Sequence, residues 1–196
     1  IIKKNDKIND NKFNAFKNDI INKIDKYVYG YNDDKIEKTV ADSLIKNKIT
    51  VSVAESCTGG LLSKRLTDYP NSTVFFKGSV IAYSNDVKID LLNVPQELIS
   101  KYGEVSEEVA AKMSCGIKNK FKTDVGVSIT GISGPSGGSK EKAVGTVCIS
   151  IAFNEEVIVK TFNIVVPNRK IHRSVSVYTA LNMLRLLLNK KSICIK

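Results

Sequence analysis

Hydrophobic positions along this chain alternate between two periods, and the alternation predicts a layered α/β protein. Residues 13–29 put Phe13, Phe16, Ile20 or Ile21, Ile24 and Val28 on one face of an amphipathic helix that Gly30 ends. Ile36, Val40 and Leu44 recur at i, i+4 and i+8 and define a second helix, with Asp33 or Asp34 as its cap. Residues 49–54 then read as a buried strand. It stops at Ser56-Cys57-Thr58-Gly59-Gly60, and a helical pattern runs on to about Asp68. A second strand lies within 74–83 and ends at Tyr83, a short helix holds Val87 to Leu92, and Pro95 marks a turn. Ser106 caps a helix to about Phe121, with Glu107 and Glu108 placed for its dipole.

Residues 124–130 form a third, apolar strand, followed by a Gly-rich loop over 131–142. Strands at 143–153 and 157–166 read as a hairpin around Asn154-Glu155-Glu156. Asn168 caps a last long helix whose core side carries Val175, Tyr178, Leu181, Leu184 and Leu188. Helices and strands in this order predict a three-layer α/β/α sandwich. Its sheet is mixed but mostly parallel, since the hairpin brings one antiparallel strand. Such sheets bind ligands beyond the carboxyl ends of their parallel strands, where the segments after residue 54, Tyr83 and Thr130 would meet.

Composition narrows the class. The 196 residues suit one domain plus extra material. No apolar run reaches the length of a spanning helix and no signal-peptide pattern opens the chain, so the expectation is a soluble, cytoplasmic protein without a membrane partner. Residues 1–33 are a low-complexity start and a linker helix. The first residue is Ile1, which suggests a piece of something longer. Residues 34–190 form the domain, and 191–196 a basic tail. Cys57, Cys115, Cys148 and Cys194 are scattered, with no C-x-x-C and the single histidine His172, so neither a zinc site nor a disulfide framework is expected. Of the net charge of +10, residues 160–196 supply eight Lys/Arg and no acid. No nucleic-acid motif or aromatic interleaving accompanies them, so nucleic acid is not an expected partner.

Three segments carry candidate chemistry. A strand end feeding a Gly-rich turn can project a nucleophile and aim backbone N–H groups at an oxyanion. Ser56 or Cys57 is the candidate nucleophile in that turn, and a plain helix cap at Thr58 is the bland reading. A serine needs a base. His172 is 116 positions away, so a lysine of lowered pKa is the alternative, and Lys88, one turn beyond Tyr83, is in place. The 131–142 loop, with Gly131, Gly134, Gly137 and Gly138, reads either as a cradle for a phosphate or carboxylate or as a flexible surface loop. Arg169-Lys170-Ile171-His172-Arg173 puts cations at a positive helix end, which calls for an offsetting anion.

Five motifs, read together, resemble one family. They are Ala54-Glu55-Ser56-Cys57-Thr58-Gly59-Gly60; Ala82-Tyr83-Ser84-Asn85 with Lys88; Gly103-x-Val105-Ser106-Glu107-Glu108-Val109-Ala110; Thr130-Gly131-Ile132-Ser133-Gly134-Pro135; and Val144-Gly145-Thr146-Val147. In this order and spacing the chain is similar to the C-terminal domain of the competence/damage-inducible protein CinA over roughly 34–190. Stand-alone relatives of that domain are nicotinamide-nucleotide amidohydrolases. The resemblance implies hydrolysis of the nicotinamide mononucleotide carboxamide without metal or organic cofactor, in a homo-oligomer. It implies Ser56 as nucleophile with Tyr83 and Lys88 as activating partners. The substrate would be bound by Cys57, Thr58, Gly59, Gly60, Asn85, Thr130, Gly131, Gly134, Gly137, Arg169 and Arg173. N–H groups near Thr58-Gly59-Gly60 would supply the oxyanion hole. The resemblance also implies an upstream region ahead of residues 13–31. A catalytically silent nucleotide-binding or interaction module of a longer CinA-like protein is the competing expectation.

Overall fold

A computed structural model describes residues 9–24, 27–31 and 33–192. Residues 1–8 of the low-complexity start and residues 193–196 of the basic tail thus lie outside the described residues. Helix α1 (Asp10–Ile24) leads into the domain. It starts and stops earlier than its pattern predicts and buries none of its residues. Phe16 is 55% exposed, so its apolar face has no core to join among the described residues.

Five strands, β1 (Val51–Glu55), β2 (Phe76–Ile81), β3 (Val125–Gly131), β4 (Thr146–Phe153) and β5 (Glu156–Asn163), form one sheet in the order β2-β1-β3-β4-β5. β1 is parallel to both β2 and β3, while β4 runs antiparallel to β3 and β5. The mixed, mostly parallel sheet expected from the sequence is therefore present. Asn154, at φ 52°, makes the two-residue turn of the hairpin.

Two helical layers cover the sheet. On one face α2 (Ile36–Asn47), α3 (Leu61–Thr67) and α8 (Arg169–Ser192) bury Val40, Leu44, Leu62, Leu66, Leu181, Leu184 and Leu188 against Val53, Val127, Ile129 and Ile149. Each such side chain contributes about 2 kcal/mol of burial. On the other face lie α5 (Asn85–Leu92), α6 (Gln96–Tyr102) and α7 (Glu107–Phe121), whose Leu92, Val109, Met113 and Ile117 pack on Ala54, Val80 and Ala82. There the sheet offers small polar side chains. Ser52 and Ser128 donate to the Ile117 and Ala110 carbonyls, and Ser114 and Ser150 share a hydrogen bond. A Cβ at Gly126 would fall 2.1 Å from Ser114 O, so this helix sits close because the strand is small beneath it.

Several boundaries depart from the expectation. A single turn, α4 (Ser72–Phe75), occupies the start of the expected second strand, and β4 begins only at Thr146. The stretch after Pro95 is helix α6 rather than a turn alone, with Pro95 as its N-cap residue. Neither Asp33 nor Asp34 caps α2. Its N-cap is Lys35 without a side-chain bond, because the Asp34 carboxylate turns back to accept from Tyr31 N–H at 3.1 Å. Ser106 and Asn168 do cap as expected, accepting from Val109 N–H and Ile171 N–H. No helix among the described residues is long and apolar enough to cross a membrane.

Candidate active site

The parallel strands end on one edge, and the turn after β1, the segment after β2 and the loop after β3 leave it together. β5 runs the same way as β3, so α8 begins there too. Between them lies a cleft of about 320 Å³ lined by Ser56, Cys57, Tyr83, Lys88, Gly131 and Arg169, with Glu104, Val105, Ile132, Ser133, Ser136 and Gly137 completing its wall.

Ser56 stands on the first residue after β1, its N–H bonded to Ile129 O at 2.9 Å. The preceding Glu55 fixes the turn. Its fully buried carboxylate accepts from Gly60 N–H (3.1 Å), Leu62 N–H (3.0 Å), Ser63 N–H (2.8 Å) and Ser63 Oγ (2.6 Å). An anion at a helix N-terminus satisfies the orphan donors and meets the positive end of the dipole. Gly59 and Gly60 take φ of 56° and 92°, left-handed values that glycine adopts without strain.

This geometry corrects two expectations. Thr58 does not cap α3. Gly60 is the N-cap residue, Glu55 does the capping, and Thr58 Oγ1 is buried without a partner among the described residues. Gly59 and Gly60 do not offer an oxyanion hole either. Gly59 N–H donates to Ser56 O and Gly60 N–H to Glu55, and neither glycine lines the cleft. Cys57 N–H and Thr58 N–H donate to no other residue among the described residues, and of the two only Cys57 lines the cleft.

Lys88 is 1% exposed although it carries an ammonium stem into the cleft. Ser84, the N-cap residue of α5, holds it there: its Oγ accepts from Val87 N–H and its carbonyl accepts from Lys88 Nζ at 3.4 Å. Burial lowers the Lys88 pKa, opposed by the negative charge of Glu104 and by Cys57. Burial also pushes the Cys57 thiol up to about 11, so Cys57 is protonated and a weak nucleophile at neutral pH.

Tyr83 is 60% exposed at the mouth. Arg169 donates to its phenolic oxygen at 2.6 Å and to Gly134 O at 3.1 Å, joining the segment after β2 to the Gly-rich loop. Since a guanidinium only donates, the phenol keeps its own proton for another acceptor. Arg173 is committed elsewhere: its Nε and Nη2 both donate to Thr58 O, and it does not line the cleft. The cations at the start of α8 are thus offset by carbonyls and a phenol, and only Arg169 of the two arginines faces the cleft. His172 is buried away from it. Its Nε2–H donates to Gly145 O at 3.1 Å and its Nδ1 accepts from Ser133 Oγ at 2.9 Å, so it clamps the Gly-rich loop and is no base for Ser56.

A family model described as the CinA C-terminal domain matches residues 33–188. The chain belongs to the CinA C-terminal domain family. The CinA-like protein of Dictyoglomus thermophilum is 46% identical over 158 residues, covering 81% of this chain and 38% of that protein. The CinA-like protein of Fervidobacterium nodosum is 44% identical over 168 residues, covering 86% and 41%. This chain therefore spans about two fifths of the length of these relatives. Among solved structures, the competence/damage inducible protein CihA from Agrobacterium tumefaciens aligns with a TM-score of 0.74 and 33% identity, over 82% of this chain and 99% of that one. A CinA superfamily protein from Enterobacter cloacae aligns with a TM-score of 0.75 and 27% identity, over 82% and 98%.

In this CinA-family domain the cleft unites Ser56, Cys57, Tyr83, Lys88, Gly131, Gly137 and Arg169 of the expected residues. It leaves Thr58, Gly59, Gly60, Asn85, Thr130, Gly134 and Arg173 off its wall. Asn85 is exposed at the first turn of α5. Thr130 is fully buried, and its Oγ1 donates to Glu104 O at 2.9 Å, so it supports the wall without facing it. Glu104 was not among the expected residues, having stood as the unassigned position between Gly103 and Val105. A lone exposed acid in a loop carries no signal in sequence.

Proposed function

We propose that this domain is a nicotinamide-nucleotide amidase, hydrolysing the carboxamide of nicotinamide mononucleotide to nicotinate mononucleotide and ammonia. The observation that carries the reading is Lys88, an almost fully buried lysine on the same cleft as Ser56 with its pKa lowered by burial. A lysine kept neutral can serve as a general base.

In this reading Lys88 Nζ takes the Ser56 Oγ proton as Oγ bonds to the carboxamide carbon. The N–H groups of Cys57 and Thr58 steady the oxyanion. Lys88 returns the proton to the amide nitrogen, the C–N bond breaks, and ammonia leaves an acyl ester on Ser56. Water attacks that ester, its proton passing to Lys88 and then to Ser56 Oγ, and nicotinate mononucleotide departs. Tyr83 O–H donates into the cleft. Arg169, with N–H donors beyond the two it spends on Tyr83 and Gly134, meets the 5′-phosphate. No step requires a metal.

Ammonia release from nicotinamide mononucleotide tests this, comparing the parent with Ser56→Ala and Lys88→Ala. Each substitution should reduce release by about 10³-fold or more while circular dichroism stays unchanged. A folded parent that binds the nucleotide but releases no ammonia would sink the amidase and leave a silent binding module.

A further inference from the structure

Glu104 is left without a task by this mechanism. It is the one acid among the cleft-lining side chains, which also carry the cations Lys88 and Arg169. The backbone of residues 102–104 is held at three successive carbonyls. Thr130 Oγ1 donates to Glu104 O, Ser106 Oγ donates to Gly103 O at 3.0 Å, and Lys142 Nζ donates to Tyr102 O. The carboxylate itself has no hydrogen bond or ion pair among the described residues. A fixed backbone thus presents a free anion to whatever enters, in a cleft whose mouth holds a fixed cation, Arg169. A ligand carrying both signs complements that pair.

We propose that Glu104 is a specificity-determining residue that supplies the counter-charge to a cationic pyridinium ring, selecting N-substituted pyridinium carboxamides over ring-neutral ones. The inference rests on the amidase reading. The phosphate end goes to Arg169 and the ring, with its carboxamide at Ser56, lies under Glu104. The ring keeps its charge through acyl transfer, so Glu104 acts on ground state and transition state alike. Through the ring, its removal raises KM without changing kcat. Glu104 also favours the Lys88 ammonium. An effect through Lys88 changes every substrate equally, so the ratio between two ring charges isolates the proposed role.

The test is calorimetric titration of Ser56→Ala, which does not turn over, with oxidised nicotinamide mononucleotide and with its dihydro form. The two share carboxamide, ribose and phosphate and differ in ring charge. Ser56→Ala should prefer the oxidised form. Adding Glu104→Gln should cut that preference about fivefold, the scale of an exposed charge pair, and Glu104→Lys should cut it further. An unchanged ratio in both double variants, with the nucleotide still bound and still hydrolysed by the parent, overturns the role of Glu104 and leaves the amidase standing. No binding of either form together with no ammonia release by the parent overturns both.

Discussion

The turn at 56–60 and the loop at 132–145 both line the cleft, and they differ in what chiefly holds them. The first is held mainly from within, with Arg173 of α8 as its tie from outside: Glu55, one residue before Ser56, gathers three backbone N–H groups and a hydroxyl within the next eight residues. The second has local bonds such as Gly145 N–H to Ile132 O, and is tied to the rest of the fold by His172 and Arg169 of α8 and by Lys142 reaching to Tyr102. A nucleophile turn built from local bonds keeps its shape whatever the ligand does. A loop held by remote side chains can give way around a ligand while the turn stays fixed.

Glu55→Ala should break that comparison most severely. It strands three N–H groups at a buried helix start, at a cost of about 3 kcal/mol. For a chain of this size that lowers Tm by about 10 °C, measured by thermal denaturation. A Tm within 2 °C or so of the parent would show that the turn does not depend on Glu55.

His172→Ala should come next, at about 2 kcal/mol for a lost buried imidazole and its bond to Ser133, while the Gly145 carbonyl keeps the Ile164 N–H. Hydrogen exchange separates the two regions: amides of 132–145 should exchange faster while those of 60–63 keep their protection. Equal loosening of both would mean that the loop and the turn are one unit.

The contrast also explains how much could be read in advance. The strands, the one antiparallel strand and the Ser106 and Asn168 caps were legible, because each follows from a local period or from a cap three residues ahead of its donor. The gathering of the segments that carry Ser56, Tyr83 and Lys88 was legible from the strand order as well as from the family motifs, whereas Arg169 lies in none of those motifs and stood out only as a cation at a helix start. The Glu55 cap was not legible, since it reaches across five to eight residues through a left-handed Gly59-Gly60 turn rather than from the cap position. A far longer separation hid the role of Arg173, whose position suggested an anion and whose partner is the Thr58 carbonyl, 115 residues back. α6 was hidden because Gln96–Tyr102 buries none of its residues and so shows no apolar period.

Lys88→Met sharpens the comparison at the shared floor of the cleft. The folded-state pKa of Lys88 lies below its ordinary 10.5, so burial disfavours the ammonium. Stability from this group is complete above pH 10.5 and falls as pH drops through the folded-state value. Removing the amine should therefore raise Tm at pH 7, abolish ammonia release, and lose its stabilising effect as pH approaches 10.5. A variant less stable than the parent at pH 7 would show that Lys88 is not strained by burial. In the parent, ammonia release should rise with pH as Lys88 loses its proton.

The smallest effect belongs to Arg173, which ties α8 to the turn rather than to the loop. Its guanidinium makes two bonds to a carbonyl that also accepts from Leu61 N–H, so Arg173→Leu leaves Thr58 O with a partner. The cost should stay near 1 kcal/mol, about 3 °C in Tm. The informative readout is catalytic. Thr58 O and Thr58 N–H flank one residue, so freeing the carbonyl lets that residue rock and misaim the N–H proposed to face the oxyanion. kcat should then fall while KM holds, because the donor acts only once negative charge develops. Arg173→Lys, keeping one donor, should recover part of the rate. A raised KM with unchanged kcat would instead place Arg173 on the substrate, and the division between a locally built turn and an externally held loop would have to be redrawn.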